Sequence, residues 1–386
     1  MRVRASFLTA PCPSESSALA RPVAEAHLVA RCVHGLEPAV AAEILQLGLG
    51  TVTHLGHREV HFRASPSGPR AAGLSTADDV FLLAAQRPDI GTTRRDLDAL
   101  ARLADAADVG TLMRLREEQG GPGGVAGVAG VAGVEVSASF LGRRAFNRYD
   151  AEDAVGRVLA RRLGTGYHSR REGTGPPPSY SGWRLTLDGT RATLMLRITD
   201  RPLHRRAYKR HSVPGTLHPP LAAAMARMAG IRPGHTVLDP CCGAGTLLIE
   251  AGLHQPRARF HGFDLAPESL RAAKGNAAGL PISVGRADAG HLPLPDGGVD
   301  RVLCNPPWNG QVAARGRLSG SSSHWWTELR RVLAPGGMAV VLLPDAGDVA
   351  YGIRHRFVPL HVQRVRVSGA QPFLVQFALP GGRRGS

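Results

Sequence analysis

Lysine is almost missing from this sequence: of 47 basic residues in 386, only Lys209 and Lys274 are lysines. A coding bias accounts for arginine over lysine, but it does not decide where acids are scarce. Cysteine is scarce too. Cys12, Cys32, Cys241, Cys242 and Cys304 show no C-x-x-C spacing, which argues against a disulfide framework, a zinc site or any other metal centre. Long apolar runs are absent, and none approaches the ~20 residues that span a bilayer, so no membrane partner is expected. The N-terminus is basic (Met1 to Arg4), and Ala18-Leu19-Ala20 has the look of a cleavage site. The stretch between is short and polar and is broken by Pro11 and Pro13, which rejects a signal peptide and predicts a cytoplasmic protein.

What is present is apolar content of 43%, enough for real cores, in a length that predicts two or three domains. Charge is unevenly spread. Residues 1–142 carry 13 arginines against 15 acids, residues 143–215 carry 16 basic against 6 acidic residues, and residues 216–386 carry 18 against 10. The central segment is a concentrated basic patch, and a polyanion is its natural partner.

The most informative stretch runs from Thr236 to Glu250. Val237 and Leu238 read as a short buried strand ending at Asp239. Gly243 and Gly245 give a tight turn in which backbone can approach a ligand closely. Thr246 then opens a helix with an apolar face. Strand, glycine turn and helix form the crevice in which open α/β sheets bind nucleotides. A second signal follows the apolar run Val302 to Cys304: Asn305, Pro306, Pro307 and Trp308.

D-P-C-C-G-A-G-T followed by N-P-P-W resembles the class I S-adenosylmethionine-dependent methyltransferases that methylate exocyclic amines of bases or a glutamine amide. The resemblance covers residues 217–379. It implies an α/β Rossmann-like domain with a seven-stranded, mostly parallel sheet, and S-adenosyl-L-methionine as cofactor. Asp264 ends the next strand about 20 residues past the glycine turn, where a carboxylate accepts ribose hydroxyl hydrogens. Asp288 matches the acidic residue that such families place against the adenine amine. Cys241, Thr246, Leu265 and Ala289 complete the expected cofactor contacts. Asp239 is expected to order the glycine turn and face the methionine end of the cofactor. Asn305 is expected at the junction of cofactor and substrate.

The expected chemistry follows from the amine. Its lone pair is conjugated with the ring, so it is a poor nucleophile. The Asn305 side-chain oxygen and the Pro306 carbonyl can accept its N–H bonds and aim the lone pair at the sulfonium methyl. Pro306 and Pro307 stiffen the turn and leave no competing N–H, and Trp308 offers an aromatic face to an extruded base. Positioning then supplies the rate, with no strong base required.

The N-terminal half opens with L-V-A-R-C-V-H-G-L-E-P-A-V-A-A-E-I-L-Q-L-G, which is similar to the start of RNA methyltransferases carrying a THUMP domain. We expect a loose tail over 1–26 and a ferredoxin-like α/β subdomain over 27–72. An α+β THUMP-like RNA-binding domain follows over 73–202, with a Gly/Val/Ala-rich insertion at 120–133. A basic linker spans 203–216 and the methyltransferase domain 217–380. Helices are predicted over 39–47, from Thr76 to Gln86 with Ser75 as its cap, over 94–103, and from an Asp150 cap to Leu163. A hairpin is predicted around Asp188-Gly189. Arg143, Arg144 and Arg148, then Arg205, Arg206, Lys209 and Arg210, are expected to contact RNA phosphates, with Tyr208 available for stacking.

The resemblance of both halves points to methylation of the exocyclic 2-amino group of a guanosine in tRNA, with the acceptor stem favoured, by a monomer. Ribosomal RNA guanine, DNA adenine and protein glutamine remain the alternatives. The basic N-terminal half counts against the last two.

Overall fold

The computed structural model describes residues 26–65, 68–121, 131–307 and 312–381. Residues 1–25 of the expected tail, 122–130 of the insertion, 382–386 of the C-terminus and Trp308 lie outside them. Among the described residues, no helix is long and apolar enough to cross a membrane.

The N-terminal body contains β1 (His27–Arg31), α1 (Glu37–Gln46), β2 (Gly50–Gly56), β3 (Glu59–Ala64), β4 (Asp79–Pro88), α2 (Leu97–Asp105), α3 (Val109–Glu118), β5 (Gly133–Phe140), α4 (Arg148–Leu163), β6 (Gly166–His168), β7 (Tyr180–Leu187) and β8 (Arg191–Arg197). All eight strands form one sheet in the order β2-β3-β1-β4-β8-β7-β5-β6. The division expected between residues 72 and 73 is therefore not a division of the sheet: β1 pairs with β4, Val29 opposite Phe81.

Strand β4 also corrects the helix expected from Thr76 to Gln86. Its run is apolar on successive residues, so it has no clear period, and pairing to both β1 and β8 decides for strand. Leu82 enters the main core, while Phe81 joins Val29 and Met195 in a small cluster on the opposite face. Ser75 caps no helix. Its amide and hydroxyl donate to the buried Glu43 carboxylate at 3.0 and 2.6 Å. Helix α4 starts one turn before its expected cap. Asn147 is the N-cap and Asp150 sits at the third position of a capping box, with Gly164 ending the helix at φ 63°. The β7–β8 hairpin forms as expected but turns one residue later, at Gly189-Thr190, with Asp188 paired to Arg191 and Gly189 at φ 92°.

The C-terminal body contains α5 (Pro219–Met228), β9 (Thr236–Asp239), α6 (Thr246–His254), β10 (Arg259–Asp264), α7 (Pro267–Asn276), β11 (Ile282–Arg286), β12 (Val299–Cys304), α8 (Ser322–Val332), β13 (Leu333–Leu343), α9 (Ala346–Arg354), β14 (Val358–Arg364) and β15 (Phe373–Ala378). Its seven-stranded sheet runs β11-β10-β9-β12-β13-β15-β14. The first five strands are parallel, and β15 pairs antiparallel with both β13 and β14. Val237, Leu238, Val302, Leu303, Val340 and Val341 are fully buried, as parallel strands covered on both faces require.

The two bodies meet along a polar seam. The Arg366 amide donates to the His34 carbonyl at 2.9 Å. His218 at the start of α5 meets Asp78 at 2.7 Å. Glu43, which holds the turn before β4, also pairs with Arg227 of α5 at 3.3 Å. Segment 203–211 crosses the seam: Arg206 Nε donates to Glu250 of α6 at 2.9 Å, and another of its nitrogens reaches the Ser75 carbonyl.

Candidate active site

Strand order reverses between β9 and β12, which opens a crevice at their carboxyl ends. The loop from β9 to α6 lines it. Gly243 and Gly245 hold φ of 50° and 81°, a region costly for other residues. A Cβ on Gly245 would also press to 3.3 Å against Ala273 of α7. Asp264 ties this loop to the next strand: one carboxylate oxygen accepts the Gly243 amide and the other the Ala266 amide, each at 2.9 Å. A carboxylate has about four acceptor positions, so both oxygens can still receive ligand hydroxyls.

Asp239 is 1% exposed, and its Oδ1 accepts the Cys241 amide at 3.1 Å. Burial is the main cause that pushes its carboxyl up to about 8, with the charge of Asp264 adding to it. Burial also raises the Cys242 and Cys304 thiols, which keeps them neutral.

Asn305 stands at the end of β12. Its Nδ2 makes a long 3.5 Å contact to the Gly215 carbonyl, while its Oδ1 is buried with no hydrogen-bond partner. Thr246 Oγ1 at the start of α6 is also buried and unpaired. Other buried polar atoms lack partners too, but these two belong to residues that line the same cavity.

These groups share one cavity of about 850 Å³. Asp239, Cys241, Gly243, Thr246, Asp264, Leu265, Ala289, Asn305, Pro306 and Pro307 all line it. Gly245 shapes the turn from behind. Asp288 stands apart from the wall: its two oxygens accept the Gly290 and Arg317 amides at 2.8 and 2.9 Å. It therefore pins the 316–317 segment, next to Ala287 and Ala289, which do line the cavity. Trp308 lies outside the described residues.

The basic residues chosen from sequence divide into two groups. Arg143, Arg148, Arg205 and Arg210 are exposed. Arg144 is committed to Asp89, with contacts of 3.0 and 2.6 Å, and its side chain is only 4% exposed. Arg206 belongs to the seam. The Tyr208 hydroxyl donates to Glu250 at 2.6 Å, so its ring is packed instead of presented for stacking. Lys209 reaches the cavity wall instead of the outer surface, and burial lowers its pKa.

Sequence reasoning missed a whole side of the cavity. Arg58 and Asp78 come from the N-terminal body and Arg366 and Ser368 from the β14–β15 connection. Each is isolated in sequence, and no local motif could have singled it out. Among the described residues, no group of three or more His, Cys, Asp or Glu side chains is placed to hold a metal ion.

Strand order and cavity are those of a class I methyltransferase. The RMKL-like methyltransferase domain family matches residues 206–372. A tRNA (guanine(6)-N2)-methyltransferase of Thermus thermophilus is 33% identical over 244 residues, covering 61% of this chain and 70% of the relative. A U6 snRNA (guanine-N(2))-methyltransferase, THUMPD2 of Bos taurus, is 31% identical over 179 residues, 42% of this chain and 34% of its own length. Among solved structures, TrmN from Thermus thermophilus superposes with a TM-score of 0.69 at 29% identity, covering 92% of this chain and 99% of that one. The chain belongs to the tRNA guanine-N2-methyltransferase family.

Proposed function

We propose that this chain transfers a methyl group from S-adenosyl-L-methionine to the exocyclic 2-amino group of a guanosine in tRNA. The observation that carries the reading is the buried, unpaired Oδ1 of Asn305 beside Pro306, in one cavity with the glycine turn. The residues fit the cofactor. The turn at Gly243 and Gly245 leaves room for backbone to lie against it, Asp264 has acceptor capacity for ribose hydroxyls, and Thr246 Oγ1 lacks a partner. Asp239 and Cys241 would border its methionine end, and Leu265 and Ala289 its adenosine. When bound, the cofactor supplies an electrophilic methyl on a sulfonium.

The protein's part is to hold the amine. Asn305 Oδ1 and the Pro306 carbonyl accept its two N–H bonds, which fixes the nitrogen and turns its lone pair toward the donor side of the cavity. The relative named for guanine 6 of tRNA and the whole-chain likeness to TrmN favour tRNA over other acceptors. Acceptor-stem guanosine is the preferred target within tRNA. The eight-stranded N-terminal body would act as the THUMP-like RNA grip, with exposed Arg143, Arg148, Arg205 and Arg210 contacting phosphates.

The test is direct. The protein is incubated with labelled S-adenosylmethionine and bulk tRNA, and the RNA is digested to nucleosides. N2-methylguanosine is the expected product. Label in adenosine, or in protein alone, would overturn the assignment.

A further inference from the structure

We infer that Asp78 and His218 form a proton-accepting dyad on the acceptor side of the cavity, with His218 receiving the proton that the guanine amine loses. The inference rests on the methyl-transfer reading above. As the N2–CH3 bond forms and the S–CH3 pair returns to sulfur, the amine nitrogen becomes cationic and must release one N–H proton. Neither the Asn305 amide nor the Pro306 carbonyl can keep it, so one N–H must turn from its carbonyl acceptor to a base once the methyl has arrived.

Few bases on the cavity wall can. Asp239 is sealed at 1% exposure beneath the glycine loop. Asp264 ends β10, on the far side of β9 from Asn305. Glu268 belongs to α7, beyond β10, on the opposite side of β9 from Asn305. That leaves Asp78 and His218, both lining the cavity with Asn305. Gly215, whose carbonyl touches Asn305, lies three residues before His218.

The dyad has the geometry of an oriented base. His218 Nε2 meets Asp78 Oδ1 at 2.7 Å. With the ring proton on Nε2, that N–H donates to the carboxylate and leaves Nδ1 as the acceptor nitrogen. His218 stands at the N-cap of α5, yet its side chain caps nothing, so Nδ1 is not used by the helix. His204 packs its ring 5.4 Å away. Its Nδ1 faces the Asp78 carbonyl at 3.1 Å, and burial keeps it neutral, so it does not oppose charge on His218. The cationic side chains lining the cavity are Arg58, Lys209, Arg315 and Arg366. Asp78 is the carboxylate that offsets them. It touches no reacting atom and acts as the positioning residue.

The experiment compares wild type, His218→Gln and Asp78→Asn from pH 5 to 9 with saturating S-adenosylmethionine and tRNA. S-adenosylhomocysteine affinity and tRNA affinity are measured in parallel. His218→Gln should lower kcat by about 10²-fold with both affinities within about twofold. Its profile should lose the acid limb, because a protonated imidazole cannot accept. Asp78→Asn removes the carboxylate that holds the ring in this tautomer, so it should also lower kcat with both affinities retained. A His218→Gln rate within twofold of wild type would overturn the dyad while leaving the methyltransferase reading intact. If that variant fails to bind S-adenosylhomocysteine, Asp78→Asn decides, and a kcat within twofold of wild type would overturn the proposal. Wild type that makes no methylguanosine would instead remove the reading beneath it.

Discussion

Gly35 lies so close to Arg364 that a Cβ on it would stand 2.2 Å from the Arg364 carbonyl oxygen. Its φ of 95° is a second reason for glycine. This is where the N-terminal turn docks on the far hairpin of the methyltransferase sheet. Gly35→Ala should destabilise the protein by about 1–3 kcal/mol, read by chemical denaturation. It should also reduce tRNA methylation more than S-adenosylhomocysteine binding, since the donor side of the cavity does not pass through Gly35. An unchanged denaturation midpoint would show that the seam tolerates a shift.

Asn305→Ala should lower turnover by about 10²-fold or more, the scale seen when one positioned polar group is removed from a transition state. Calorimetric S-adenosylhomocysteine binding should stay near wild type. Loss of both would mean that Asn305 holds the donor and not the amine.

Asp239 predicts a pH dependence of stability with a definite sign. Its folded value of about 8 lies above the unfolded carboxylate range, so the native state holds its proton more tightly. The stability it contributes is complete below the unfolded pKa and is lost as pH rises through about 8, at up to about 1.4 kcal/mol per pH unit. Asp239→Asn keeps an oxygen for the Cys241 amide and cannot ionise. Its unfolding free energy should therefore fall less than that of wild type between pH 5 and 8. Parallel curves for the two proteins would show that Asp239 is already charged at neutral pH.

The basic run 205–210 should split. Arg205→Glu with Arg210→Glu should weaken tRNA binding and reduce the slope of log affinity against log salt by about 1 per lost phosphate contact. Arg206→Ala should instead destabilise the fold, because it strands the buried Glu250 carboxylate. Equal salt slopes for wild type and the double variant would make Arg205 and Arg210 bystanders.

That split shows where sequence reading stops. The glycine turn was legible because Asp239, Gly243, Gly245 and Asp264 do local work: their spacing is set by one strand, one turn and the next strand. Asn305 to Pro307 was legible for the same reason. Arg206 and Arg205 look alike in sequence, and only the fold shows that one is tied to Glu250 and the other exposed. Residues 79–86 misled because they are apolar toward both faces of a sheet, and the period that separates strand from helix is erased. Asp78 and Arg58 carried no signal, since they come to line the same cavity as Asn305 only after two sheets dock.

That docking divides responsibility within the cavity. The floor under the donor belongs to one half of the chain, whereas the wall facing the acceptor is shared with the other half through Arg58 and Asp78. A genetic screen for lost methylation would therefore recover lesions far upstream of the catalytic loop, in enzymes that still hold their donor. Exchanging the upstream half between relatives would change which nucleoside is marked before it changed whether marking occurs.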